Sequence, residues 1–178
     1  EKWEGEKLEP YFTTLQGAYY GSGTGDWSIV RERTVKPGDI IEVHAGLYEA
    51  KRFNYVNPEG LTFYGTYFLT AKGTKEKPIV IRAAGDGEVI FDGAGVHKLF
   101  DVSATEHHII EGITIRNADI AIYAGSKHMI GAKDLTIRNC RMEEVGEGII
   151  TEYAGSTNFY IADNVLIGRD DRYRLLGW

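Results

Sequence analysis

The segment Leu135-Thr-Ile-Arg-Asn-Cys-Arg-Met142 decides the reading of this chain, because three other segments line up on it. They are Glu88-Val-Ile-Phe-Asp-Gly-Ala-Gly95, Ile113-Thr-Ile-Arg-Asn-Ala-Asp-Ile120 and Phe159-Tyr-Ile-Ala-Asp-Asn-Val-Leu166. In this alignment Ile90, Ile115, Ile137 and Ile161 share one column. A period of roughly 22–25 residues, with short strands and no helix-length segments between them, predicts a β-solenoid. Each coil is then one turn of a spiral whose strands pair with the coils above and below, about 4.8 Å away.

Alternation assigns the side chains. Ile113, Ile115, Leu135 and Ile137 point inward, while Thr114, Arg116, Thr136 and Arg138 face solvent. Two places on, the column reads Asp92, Asn117, Asn139 and Asp163, residue types that tolerate the left-handed backbone of a sharp corner. Ile120, Met142 and Leu166 then turn inward again. Tyr123-Ala-Gly-Ser126 recurs as Tyr153-Ala-Gly-Ser156, and the coil after the first copy carries an insertion around Lys127-His-Met-Ile-Gly-Ala-Lys133. In a solenoid such insertions become loops on one face, often the binding face.

The rest of the chain fits around this core. A length of 178 residues with 43% hydrophobic and 26% charged residues suits one globular domain. Residues 1–34 read as an N-terminal cap, with a short helix or irregular segment over Thr13–Tyr20, and residues 35–178 as the solenoid. Val35-Lys-Pro-Gly-Asp39 is a turn that delivers a strand from Ile40, with Ile41 and Val43 inward. Cys140 has no cysteine partner in the chain and reads as a packed thiol beside a corner. Of His107 and His108, adjacent on a strand, one is expected outward and one packed. No membrane-spanning run is present, and a net charge of −6 without a basic stripe argues against nucleic acid.

At this point a resemblance enters. KPGDIIEVHAGLYEA, GTKEKPIVIRAAGDGEVIFDG, GITIRN and DLTIRNC resemble secreted bacterial right-handed parallel β-helix proteins of the pectate-lyase-like superfamily, in its β-helix-repeat branch. The resemblance covers about Val35 to Arg169. It implies an all-β, right-handed parallel β-helix, a secreted or extracytoplasmic location, and a chain that is the N-terminal segment of a longer protein. It also implies a polysaccharide partner. The superfamily holds lyases, glycoside hydrolases, epimerases and non-catalytic proteins, so its fold alone does not choose among them. A polygalacturonase-like hydrolase would show four short signatures, of which only the Asp-Asp pair is present, as Asp170-Asp171. The Asp-Pro-His motif of mannuronan-epimerase-like enzymes is absent.

The superfamily's commonest reaction is β-elimination of a uronate polymer. A base takes the proton beside a carboxylate that cations or Ca²⁺ have neutralised. Arg116 and Arg138, read as one coil apart in the same outward position, are the candidates for binding neighbouring carboxylates, with Arg138 in the catalytic group. Lys127 or His128, on the inserted loop, is the candidate base. Lys133 and Tyr160 are further substrate-binding candidates, the tyrosine as a stacking surface. Glu144, Glu147 and Glu152 are the candidate ligands for a Ca²⁺ ion. The blander account makes the arginines and glutamates solvated faces of the coils. The expected function is a lyase on an acidic polysaccharide. The alternatives are a non-catalytic glycan-binding or cell-surface β-helix, and a glycoside hydrolase with paired outward carboxylates.

Overall fold

A computed structural model describes residues 12–20, 35–50, 55–56, 62–63, 65–125, 131–152 and 155–170. Helix α1 (Leu15–Tyr20) is followed by β1 (Ile40–Val43), β2 (Gly46–Glu49), β3 (Tyr55–Val56), β4 (Thr62–Phe63) and β5 (Tyr67–Phe68). Then come β6 (Ile79–Ala83), β7 (Val89–Asp101), β8 (Glu106–Glu111), β9 (Thr114–Tyr123), β10 (Lys133–Arg138), β11 (Arg141–Ile150), β12 (Tyr160–Ala162) and β13 (Val165–Gly168). Strands alternate between two parallel sheets. Sheet A runs β1-β6-β8-β10-β12, and sheet B runs β13-β11-β9-β7-β2. This is a parallel β-helix in which each coil gives one strand to each sheet, and the first coil gives sheet B a second one, β5, which pairs with the end of β7 at Phe100 and Asp101. β3 and β4 form a separate antiparallel pair.

The columns are set by register. In sheet A, Ile41, Ile81, Ile110, Ile137 and Ile161 stack on one another, and the interval between them shortens from each coil to the next. In sheet B the inward column is Tyr48, Phe91, Ile115, Met142 and Leu166. This corrects the sequence alignment: Ile90 and Ile115 belong to sheet B, and Ile137 and Ile161 to sheet A. Ile115 pairs with Met142 and Ile137 with Ile110. The inward and outward assignments of Ile115, Arg116, Leu135, Thr136, Ile137 and Arg138 hold, because alternation is local and does not depend on which coil lies next door; Thr114, expected to face solvent, is instead buried, its hydroxyl donating to Glu88 Oε1.

Corners follow from backbone geometry. Gly112, Asn139 and Asp163 occupy one left-handed column between the sheets, with φ of 73°, 53° and 55°. Ala94, Asn117 and Glu144 form a second such column, at the kink that bends β7, β9 and β11 in mid-strand. A third is His107, Asp134 and Asn158, at the entry to sheet A. Asn and Asp bear this conformation better than most residues. The corners are also bonded between coils: Asn164 accepts from Cys140 N and donates to the Ile137 carbonyl, both at 2.9 Å.

The interior is apolar and closed by a polar lock. Ile81, Ile110, Ile115, Ile137 and Leu135 are fully buried, each contributing about 1.5–3 kcal/mol relative to exposure. Helix α1 begins at a Thr14 cap whose hydroxyl accepts from Gly17 N at 2.9 Å. It inserts Tyr19, whose hydroxyl accepts from Ala71 N and bonds His108 Nε2, both at 2.8 Å. His108 is therefore the packed member of its pair, while His107 stays partly exposed near Asp134. Cys140 is buried, and desolvation pushes its thiol pKa up, as fits a packed rather than a reactive sulfur. At the other end, among the described residues, no strand pairs the outer edges of β12 and β13, so Ile161 and Leu166 are 46% and 55% exposed despite their inward columns.

Replacing Ile137, at the centre of the sheet A column, by Ala should lower unfolding stability by about 2–5 kcal/mol. Asn139→Val should also destabilise, because a β-branched residue resists φ of 53°, whereas Asn139→Gly should be close to neutral. Urea unfolding of the three variants checks both the register and the corner.

Candidate functional site: an apolar track between two charge rails

The outer face of sheet A has three parallel columns. The central one is Ile40, Val80, Ile109, Thr136 and Tyr160. It is exposed at both ends, Ile40 at 52% and Tyr160 at 58%. On one side stand Glu42, Arg82, Glu111 and Arg138, one per coil. On the other stand Lys72, Glu106 and Lys133. Both rails alternate in sign, and neighbours pair: Arg82 with Glu42 at 2.5 Å, Arg138 with Glu111 at 2.9 Å, Lys72 with Glu106 at 2.6 Å. The result is an apolar strip running along the helix axis and edged by fixed charges. The rails carry four cations (Lys72, Arg82, Lys133, Arg138) against three anions (Glu42, Glu106, Glu111) in a chain of net charge −6.

The predicted site residues divide between faces. Arg138, Lys133 and Tyr160 come together on sheet A. Tyr160 pairs with Thr136, two residues from Arg138, and lies close enough to bear on the Arg138 charge. Arg116 is elsewhere, and it does not stack on Arg138 as the sequence alignment had it. It stands on sheet B in the outward column Glu49, Asp92, Arg116, Glu143, three acids to one base. Arg116 Nε bonds Asp92 at 2.8 Å, and Glu143 and Glu144 add their negative fields. A substrate carboxylate on Arg116 would have to compete with these. Lys127 and His128 lie outside the described residues.

The three candidate calcium ligands follow one another along and beyond β11. Glu144 occupies the left-handed kink, Glu147 has one buried carboxylate oxygen with no hydrogen bond, and Glu152 lies past the strand with its N–H on the Gly125 carbonyl. Among the described residues, no three His, Cys, Asp or Glu side chains are grouped so as to hold a metal ion.

Sequence reasoning missed one feature. A cavity of about 610 Å³ opens at the β1 end of the solenoid, between the first coil and helix α1. Leu15, Val35, Ile41 and Tyr48 line it together with Asp39, Glu42, His44 and Arg82, Ile41 and Tyr48 being the first members of the inward columns. His44 Nδ1 bonds Asp86 Oδ2 at 2.8 Å, and the other Asp86 oxygen accepts from Ala45 N at 3.0 Å. These bonds, the histidine's first, hold the Asp86 pKa below its ordinary value. His44 and Asp86 are far apart in sequence, and no motif joins them. The stacking of the first coil on the second brings them together, and the length of that first coil is what sets them so far apart in sequence.

The rails also bear on stability. The bond from Lys72 lowers the pKa of Glu106, and the bond from Arg138 lowers that of Glu111. Burial would raise Asp92, but bonds from Ala94 N, Arg116 and Asn117 outweigh it and leave its pKa lowered. Carboxylates depressed in the folded state stabilise it above their unfolded pKa values and lose that contribution as pH falls through the folded ones. Stability should therefore decline as pH is lowered from 4.5, the ordinary glutamate value. An Asp92→Asn, Glu106→Gln, Glu111→Gln variant should show a shallower decline in denaturant titrations at successive pH values. In comparisons with known proteins, no family model, no curated protein and no solved structure matches this chain.

Proposed function

We propose that this is a secreted carbohydrate-active β-helix protein, related to the pectate-lyase-like superfamily, that holds an acidic polysaccharide along the outer face of sheet A. The observation that carries this reading is the track from Ile40 to Tyr160 between the two rails. Sugar rings present apolar C–H faces and polar edges. A strip of aliphatic and aromatic side chains flanked by charged groups suits both, with Tyr160 as the stacking platform. Arg138 and Lys133 are the cations for uronate carboxylates. Arg138 is already paired with Glu111, but exposed ion pairs are weak and exchange readily with an incoming carboxylate.

The reaction we assign is β-elimination. Neutralising the carboxylate acidifies the neighbouring C5 proton; a base, Lys127 or His128, removes it, the C4–O glycosidic bond breaks as the C4–C5 double bond forms, and the departing sugar oxygen takes a proton from solvent. A second reading, glycan binding without cleavage, is favoured by the pairing of Arg116 and Arg138 with Asp92 and Glu111. In that case the rails supply affinity and register but no proton transfer. Ca²⁺, if used, would bring positive charge to substrate carboxylates.

The two readings separate in one assay. The protein is incubated with a panel of polyuronates, with and without chelator, and the ultraviolet absorbance of the unsaturated product is followed. Lyase activity gives a rising signal, which chelator abolishes if Ca²⁺ takes part. No signal, with retention on the same immobilised polyuronates, establishes binding alone. In either case Arg138→Ala and Tyr160→Ala should each weaken polyuronate affinity by about tenfold, in line with the loss of a stacking or charge-assisted contact. Affinity unchanged in both variants would move the ligand off this face.

A further inference from the structure

The two rails of sheet A alternate in sign along the helix axis, and they do so in phase. At the level of β6 both are positive, Lys72 on one and Arg82 on the other. At β8 both are negative, Glu106 and Glu111, and at β10 both are positive again, Lys133 and Arg138. Coil-to-coil pairing explains why each rail alternates, since like charges directly opposite each other repel. It does not set one rail against the other. Rails offset by one coil would keep the same pairs and leave each coil neutral. Instead the face is banded, with two positive bands two strand spacings, or about 9.6 Å, apart and a negative band midway between them. Each anion of that middle band feels cations on both sides: Glu106 feels Lys72 and Lys133, and Glu111 feels Arg138 and Arg82. Asp134, the other charged residue of β10, sits at a left-handed corner, where Asn158 donates to it at 3.2 Å and His107 lies 3.7 Å away.

The bands discriminate among acidic chains laid along the apolar strip. One ring of an extended 1,4-linked chain covers about one strand spacing, so Val80, Ile109 and Thr136 lie under three successive rings. A homopolyuronate carries a carboxylate on every ring. Where its rings turn over from one to the next, the carboxylates point to the two rails alternately, which suits rails offset by one coil. With the rails in phase, every second carboxylate meets Glu106 or Glu111, whether or not the rings turn over. A chain with a carboxylate on every second ring escapes this conflict, because one falls on each positive band. An uncharged ring between them offers hydroxyl donors to Glu106 and Glu111, which as ionised carboxylates only accept. Lys72, Arg82 and Arg138 are held in exposed pairs, and such pairs are weak enough to exchange with an incoming carboxylate.

We propose that sheet A recognises an alternating copolymer of a uronic acid and an uncharged sugar. One carboxylate lies at the Lys72–Arg82 band and the next at the Lys133–Arg138 band, and Glu106 and Glu111 accept from hydroxyls of the ring between. The proposal rests on the reading of sheet A as a glycan face. It narrows the ligand from acidic polysaccharides in general to those with one carboxylate per disaccharide.

The test is calorimetric binding of the full chain to hexasaccharides of hyaluronan and heparosan, which alternate glucuronate with N-acetylglucosamine, and to hexaglucuronate, hexagalacturonate and cellohexaose. At least one alternating hexamer should bind more tightly than either homopolyuronate by about tenfold or more, although it carries half the carboxylates, and more tightly than cellohexaose. A Glu106→Gln, Glu111→Gln variant removes the negative band. It should gain about tenfold or more in homopolyuronate affinity and lose most of the preference. A general gain of positive charge would strengthen every acidic ligand alike and leave the ratio where it was. Should the double variant fail to fold, Glu111→Gln alone takes its place, with a change in the same direction. The proposal is overturned if a homopolyuronate binds the parent as tightly as both alternating hexamers, or if the folded variant keeps the parent's ratio. The sheet A reading is checked separately by the Tyr160 ring signals in NMR titrations with the same ligands. Acidic hexamers that bind without shifting Tyr160, or that do not bind at all, overturn that reading and the proposal with it. A homopolyuronate that shifts Tyr160 and outcompetes the alternating hexamers overturns the proposal alone.

Discussion

Backbone hydrogen bonds between successive coils are the constraint on which everything else in this protein depends. They place equivalent residues of neighbouring coils about 4.8 Å apart, so every side chain is answerable to the one above and the one below. Inside, that favours repetition: a column of isoleucines from Ile41 to Ile161 packs like on like. Outside, repetition of charge would be self-repelling, since like charges directly opposite destabilise a sheet. The rail Glu42, Arg82, Glu111, Arg138 is the resolution, with opposite charges on successive rungs. The same coil-to-coil bonding requires a sharp turn at fixed places, and left-handed residues recur there as columns of their own.

That there are several such corners explains how much of the fold was legible. The solenoid itself, its inward and outward residues, the packed cysteine and the buried histidine all follow from local alternation and from period. The register between coils does not follow from either. Ile113-Thr-Ile-Arg-Asn117 and Leu135-Thr-Ile-Arg-Asn139 are nearly the same string, yet Asn117 sits at the kink within sheet B and Asn139 at the corner between the sheets. Both corners ask for the same residue type for the same steric reason, and both strands leading to them ask for alternating β-branched residues. Two different structural positions thus converged on one motif. Aligning the motifs set Ile137 over Ile115, whereas in the fold it stacks on Ile110, and the whole coil was shifted with it.

The candidate site inherited that error in part. Arg138 and Tyr160 project outward from neighbouring coils, where the step from Ile137 to Ile161 is correct, and Lys133, expected on the inserted loop, instead opens β10, so the three share sheet A. Arg116 was joined to them by the mistaken step and lies on sheet B among acids. The His44–Asp86 pair could not be read at all. The first coil, from Ile41 to Ile81, is the longest in sheet A, with β3 and β4 set apart from the coil path in a pair of their own. A coil that departs so far from the period leaves no column to extrapolate.

A solenoid builds a binding face additively, one residue per column per coil, and this has a consequence for how a ligand is read. A linear ligand lying across the strands, along the helix axis, would meet a different coil at each of its units. A chain lying along one strand meets only the residues of that coil. The apolar column of sheet A changes along the axis, from Ile40, Val80 and Ile109 to Thr136 and Tyr160. A hydroxyl and then a phenol appear just where Arg138 and Lys133 supply charge. At the β1 end the aliphatic rungs run into a cavity edged by Asp39 and Glu42. The two ends of the face are therefore chemically distinct, while the interior beneath is the same isoleucine column throughout. Polarity of this kind costs the fold little, because outward residues on a parallel β-helix are constrained only by their neighbours in the column. It is on that outer surface, rather than in the core, that a ligand's direction and composition would be distinguished.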